Sequence, residues 1–124
     1  MDLTHFQWKN RLLFIFAQDD SDPLFKDLKS QIVAQKAEVD DRDLIVFELP
    51  AQGPARMNTS PLDQKEADSI RNHFAVPSNA FCLILVGKDG GIKLKRSDQV
   101  DLREIFGLIY SMPMRQREMR QKSE

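Results

Sequence analysis

Four consecutive residues, Asp19, Asp20, Ser21 and Asp22, place three carboxylates and a hydroxyl directly behind an apolar run. Oxygen-rich turns of this kind hold hard cations such as Mg²⁺ or Ca²⁺, and the spacing imitates the Asp-x-Asp nucleophile of haloacid-dehalogenase-type phosphatases. Those phosphatases need further Thr/Ser, Lys and acidic motifs on later strands of a larger sheet, and the chain carries none. Asp22 stands before Pro23, where a carboxylate caps a helix and its acidic neighbours favour the positive helix end. Helix capping without a metal is therefore the reading, with a Mg²⁺ or Ca²⁺ site at the acidic turn as an alternative. The second reactive group is Cys82, the only cysteine, which excludes an internal disulfide, a Cys-x-x-Cys pair and a cysteine-based zinc site. Inside Phe81-Cys82-Leu83-Ile84-Leu85-Val86 a thiol acts as a small buried hydrophobe, and burial raises its pKa and makes it inert. The alternative is a single-cysteine peroxidase or glutathione-handling enzyme. His5 and His73 are the only histidines, and no Ser or Cys nucleophile is placed by motif to complete a triad. Both read as surface or packing residues, and no cofactor is implied.

The elements that position these groups follow from hydropathy and turn chemistry. Arg11 to Ala17 (RLLFIFA) is apolar on both faces, as a strand in the middle of a covered sheet must be. Pro23 behind Asp22 opens a helix with Leu24, Phe25, Leu28, Ile32 and Val33 at helical spacing, running to about Lys36. Leu44 to Leu49 (LIVFEL) is a second strand whose Glu48 suits an edge. Pro50 to Pro61 is a long polar loop, and Ser60-Pro61-Leu62-Asp63 has the form of a capping box that opens a helix to Phe74. Phe81 to Val86 is again a central strand. Lys88-Asp89-Gly90-Gly91 is a hairpin turn into Ile92 to Lys95, an edge strand guarded by lysines. Asp101 caps a last helix with Leu102, Ile105, Phe106 and Ile109 inward, and Pro113 marks its end.

The order is β-α-β-α-β-β-α. A right-handed crossover makes the first two strands parallel neighbours, and the hairpin makes the last two antiparallel neighbours. Joining the pairs through their apolar members gives an α/β four-stranded mixed sheet in order 2-1-3-4 with helices on both faces, which is the core of the thioredoxin fold. The 124 residues make one domain, with a core over 10–112 and a basic tail over 113–124. That tail carries Arg115, Arg117, Arg120 and Lys122 against Glu118 and Glu124. It reads as a frayed, charged terminus, with docking through Met112, Met114 and Met119 as the alternative. Trp8 and Phe6 anchor the N-terminal segment on the core, and Lys9 and Arg11 belong to a solvated flank.

Net charge is −1, which supplies no field for nucleic acid, and no stretch approaches the ~20 apolar residues of a membrane span. The start lacks a basic n-region and apolar core, so the chain as written reads as cytoplasmic. Strand edges leave room for a homodimer, although Lys93 and Lys95 argue against pairing through the fourth strand.

Open α/β sheets bind ligands at the carboxyl ends of their strands. Loops 18–22, 50–60 and 76–80 converge there, and the candidate ligand residues are Asp19, Asp20, Ser21, Asp22, Arg56, Asn58, Thr59, Ser78 and Asn79, for an unknown protein or small-molecule partner. Thioredoxins follow the alanine that ends their first strand with two residues and then Cys-x-x-Cys. Here Ala17-Gln18-Asp19 leads into Asp20-Ser21-Asp22-Pro23, with Asp20 and Pro23 where sulfur would stand. Val76-Pro77 resembles the thioredoxin cis-proline signature but is several residues out of register, and no cis bond is assigned.

Three segments carry a family resemblance: Trp8-Lys9-Asn10-Arg11, the hairpin Gly87 to Leu94 (GKDGGIKL), and Met112 to Met119 (MPMRQREM). Together they resemble the bacterial domains of unknown function of the P-DUDES group, related to equarin and sushi-repeat-containing matrix proteins, over about Phe6 to Arg120. The resemblance implies a thioredoxin-like, peroxiredoxin-related fold without an established activity and brings no catalytic residues. It also implies a periplasmic or secreted protein wherever a leader has been removed. The expectation is a redox-inactive binding or interaction module.

Overall fold

A computed structural model describes residues 2–123. After a 3-10 turn at Leu3–Phe6, the elements are β1 (Arg11–Asp19), α1 (Pro23–Ala34), α2 (Lys36–Asp41), β2 (Leu44–Gln52), β3 (Arg56–Met57), β4 (Ser60–Pro61), α3 (Gln64–Phe74), β5 (Cys82–Val86), β6 (Ile92–Arg96), α4 (Leu102–Tyr110) and α5 (Pro113–Ser123). β1 lies between β2, which is parallel to it, and β5, which is antiparallel; β6 pairs antiparallel with β5.

The expected four-stranded sheet is corrected to six strands in the order β4-β3-β2-β1-β5-β6. The addition comes from the long loop. Asn58 and Thr59, with φ of 48° and 70°, form a two-residue turn between Met57 and Ser60, which face each other across the β3–β4 ladder. Positive φ at both central residues is the geometry that matches strand twist in tight hairpins. The hairpin docks on β2, where Val46 N–H donates to Asn58 Oδ1 at 2.8 Å and Asn58 N–H donates to the Val46 carbonyl at 2.8 Å. β2 is thus interior and not an edge. Its Glu48 faces Arg56 in register and pairs with Lys29 at 3.3 Å. Ser60 and Pro61 belong to β4, so they do not open the next helix. Asp63 caps it instead, accepting from Lys65 N–H at 3.0 Å.

The alternation of β1 divides the core. Leu13, Ile15 and Ala17 face α1, α2 and α4 through Phe25, Leu28, Val39, Leu102 and Ile105. Leu12, Phe14 and Phe16 face α3 and the N-terminal turn through Ala67, Ile70 and Phe6. Phe14 stacks on Phe47 at 4.7 Å and meets Phe74 at 4.9 Å. Each buried phenylalanine contributes about 1.5–3 kcal/mol of apolar burial. Phe6 joins this cluster, whereas Trp8 is 61% exposed and anchors nothing by burial.

The tail is also corrected: α4 ends at Tyr110, shortly before Pro113, but Pro113 in turn begins α5, which is held by charge. Arg11, expected in a solvated flank, is fully buried and forks onto Glu118 of α5 at 3.2 and 3.1 Å. Lys88 reaches Glu118 at 2.6 Å and Asp43 at 2.9 Å. Arg115, itself buried, pairs with Asp41 at 2.6 Å, and Lys122 joins the same carboxylate. Burial works to raise the Glu118 pKa, but hydrogen bonds from Arg11 and Lys88 outweigh it and hold the carboxyl below its ordinary value. Hydrogen bonds from Lys122 and Arg115 bring Asp41 to about 2.

Candidate functional site

The end of the sheet where β1 and β2 finish is built mainly from polar groups that satisfy one another. Asp19 accepts from Ser21 N–H at 2.9 Å and from its hydroxyl at 2.5 Å, a local turn that holds the Asp19 carboxyl below its ordinary pKa. Asp22 caps α1, accepting from Leu24 N–H at 2.8 Å and Phe25 N–H at 3.3 Å. Asp20 is exposed beside Gly53, whose φ of 129° turns the chain out of β2. A Cβ on Gly53 would lie at ordinary contact distance from Pro50 and Asp20, so backbone conformation, not space, calls for glycine there. Among the described residues no group of three or more His, Cys, Asp or Glu side chains is arranged to hold a metal.

The structure brings 18–22 against 52–53, with Asp19 opposite Gln52 in register. Ser78 and Asn79 sit exposed in the turn closed by Ala80 N–H on the Pro77 carbonyl at 3.2 Å. Arg56, Asn58 and Thr59 are not brought to this end. The hairpin carries Asn58 back to the level of Val46, four residues before Pro50, or roughly 13 Å at ~3.3 Å per residue. The long loop therefore contributes only its first residues to the edge.

The residue that fastens the edge is one the sequence reading did not single out. Arg71, on α3, donates from Nη2 to the Leu49 carbonyl at 2.6 Å and the Ala17 carbonyl at 3.4 Å. Its Nη1 donates to the Pro77 carbonyl at 3.1 Å, and the guanidinium lies 5.2 Å from the Phe16 ring centroid. One cation thus ties the ends of β1 and β2 to the 76–80 segment. Its partial burial lowers its pKa, but it stays a cation because an arginine in water titrates so far above neutrality.

Cys82 sits beside Phe16 in the β1–β5 ladder and is 4% exposed; burial pushes its thiol pKa up, against a smaller opposing pull from Lys95. The peptide bonds of the described residues are all trans, Val76–Pro77 included. No helix among them is long and apolar enough to cross a membrane.

With this geometry in view, a family model described as "Domain of unknown function (DUF4174)" matches residues 2–118. The chain belongs to the DUF4174 family. This DUF4174 domain is similar to coiled-coil domain-containing protein 80 of Danio rerio, 27% identical over 133 aligned residues that cover 94% of the chain. The chain spans about 15% of that relative's length. Among solved structures it resembles reduced 2-Cys peroxiredoxin of Plasmodium vivax with a TM-score of 0.68, at 14% identity, over 94% of this chain and 85% of that one. At that identity the likeness shows the thioredoxin-like fold alone.

Proposed function

We propose that this DUF4174 domain is a binding module that has left thiol chemistry behind. The observation that carries the reading is the head of α1: Asp20 and Pro23 occupy the places where a thioredoxin dithiol would stand, and both are exposed. A thiolate nucleophile needs a depressed pKa and access. Cys82 has burial against it on both counts. Within this reading a partner engages the sheet edge formed by Asp19 to Asp22, Gln52, Gly53, Ser78 and Asn79, which Arg71 holds in register. The membership of the P-DUDES group inferred from the three sequence segments belongs to the same proposal.

The test pairs activity with reactivity. Insulin reduction and hydroperoxide consumption are expected to stay at background. Cys82 is expected to resist a thiol reagent in the native protein and to react fully in denaturant. Robust turnover by the wild type that disappears in Cys82→Ser would overturn the reading and support a single-cysteine enzyme.

A further inference from the structure

A cavity on the α3 face, away from the sheet edge, measures about 660 Å³, within the range of small-molecule sites. It exists because the two faces are unequally covered. Three helices pack over one face, while α3 and the N-terminal 3-10 turn alone cover the other, leaving a gap above β5 and β6. Phe6, Leu12, Ile70, Phe74, Ile84 and Val86 line its apolar part, and Ile92 at its border is 56% exposed.

Four ionisable residues line the cavity: Asp2, Asp89, His73 and Lys95. The two carboxylates are already engaged. Asp89 pairs with Lys93 at 2.8 Å and accepts from Gly91 N–H at 2.9 Å, and Asp2 accepts from Thr4 N–H at 3.0 Å and its hydroxyl at 2.6 Å. Lys95 makes no ion pair with any described residue, and its charge is felt as far as the Cys82 thiol. The uncommitted charge of the cavity is therefore cationic, beside an apolar floor.

We propose that this cavity binds a small amphipathic monoanion, an aliphatic or aryl carboxylate whose head sits at Lys95 and whose body covers the apolar floor. Pairing the head with Lys95 meets the lone charge, and the body covers Phe6, Phe74 and Ile92, the apolar lining residues that still meet water. The site is separate from the sheet edge, and either proposal stands if the other fails.

Calorimetric titration with decanoate, decylammonium and decan-1-ol tests it. Saturable one-to-one binding of decanoate is expected, with decylammonium at least about tenfold weaker. Lys95→Glu should weaken decanoate about tenfold and leave decan-1-ol unchanged. Ser69→Trp, at an exposed α3 position lining the cavity, should abolish binding by filling it. Ile92→Glu, on a different element, should do the same and guards against a folding defect in the first variant. Ser78→Trp at the sheet edge should change nothing. Absence of saturable decanoate binding, equal binding of decylammonium, or retained affinity in both cavity variants would overturn the proposal.

Discussion

The two ends of the sheet are both rich in charge and use it in opposite ways. Where β1 and β2 finish, the carboxylates are half-buried or exposed and engaged by near neighbours, as Asp19 is by Ser21 and Asp22 by the first amides of α1. Where β1 and β2 begin, the cations Arg11, Lys88 and Arg115 are buried and the ion pairs join residues far apart in the chain: Arg11 and Lys88 on Glu118, Arg115 and the exposed Lys122 on Asp41. The difference explains an otherwise puzzling fact about the sequence. Arg11 closes WKNR, Lys88 lies in GKDGGIKL, and Arg115 and Glu118 lie in MPMRQREM, so all three segments that carry the family resemblance meet at one buried ionic network. They meet at the end opposite to the one where a thioredoxin-like fold would do chemistry. The most distinctive residues of this domain hold its fold together, and its candidate edge is made of ordinary turn residues.

Substitutions at the two ends should therefore differ in cost. Glu118→Gln strips the shared counter-charge from Arg11 and Lys88 and should destabilise by about 3 kcal/mol in denaturant unfolding, since removing one partner of a buried pair leaves uncompensated charge. Arg71→Met, which removes three hydrogen bonds to main-chain carbonyls, should cost about 1–3 kcal/mol and speed amide exchange around residues 77–80. Thr59→Gly should stabilise by about 1 kcal/mol in the same assay, because a β-branched residue at φ 70° is strained and glycine is not. Asp19→Asn should stay within about 0.5 kcal/mol of wild type, because among the described residues the Asp19 carboxyl is engaged only by its exposed neighbour Ser21. A cost at Asp19 that matched the cost at Glu118 would break the comparison.

Acid should reveal the same asymmetry. The Glu118 and Asp41 pKa values are both depressed in the folded state, so the stability they contribute is present above the unfolded carboxylate values of ~4 and is lost as pH falls below them. Thermal unfolding midpoints should be nearly flat from neutrality to about pH 5 and drop steeply toward pH 3. In Glu118→Gln that drop should shrink.

Much of the central architecture was legible because local signals agreed with tertiary need. RLLFIFA and CLILV are apolar on both faces, and both are interior strands with helices or the N-terminal turn above and below. The β3–β4 hairpin was not legible, because its turn is Asn58-Thr59 with no glycine to announce positive φ, and Ser60-Pro61 mimics a helix start. α5 was hidden for another reason. Its sequence is polar and its stability comes from ion pairs to residues 30 to 107 positions away, which no local pattern reports. Arg71 was invisible because its acceptors are main-chain carbonyls, which any sequence supplies. At the edge, the run 19–22 read correctly as a capped turn, whereas Arg56, Asn58 and Thr59 were drawn away by a hairpin whose register only the β2 contacts determine.

The claim that the two ends use charge differently is tested most directly by a double-mutant cycle on Arg11→Met and Glu118→Gln, followed by equilibrium unfolding. The account predicts that the two costs fail to add, with a coupling of about 1–3 kcal/mol, as expected for residues in one buried network. Coupling within the ~0.3–0.5 kcal/mol typical of independent sites would contradict it.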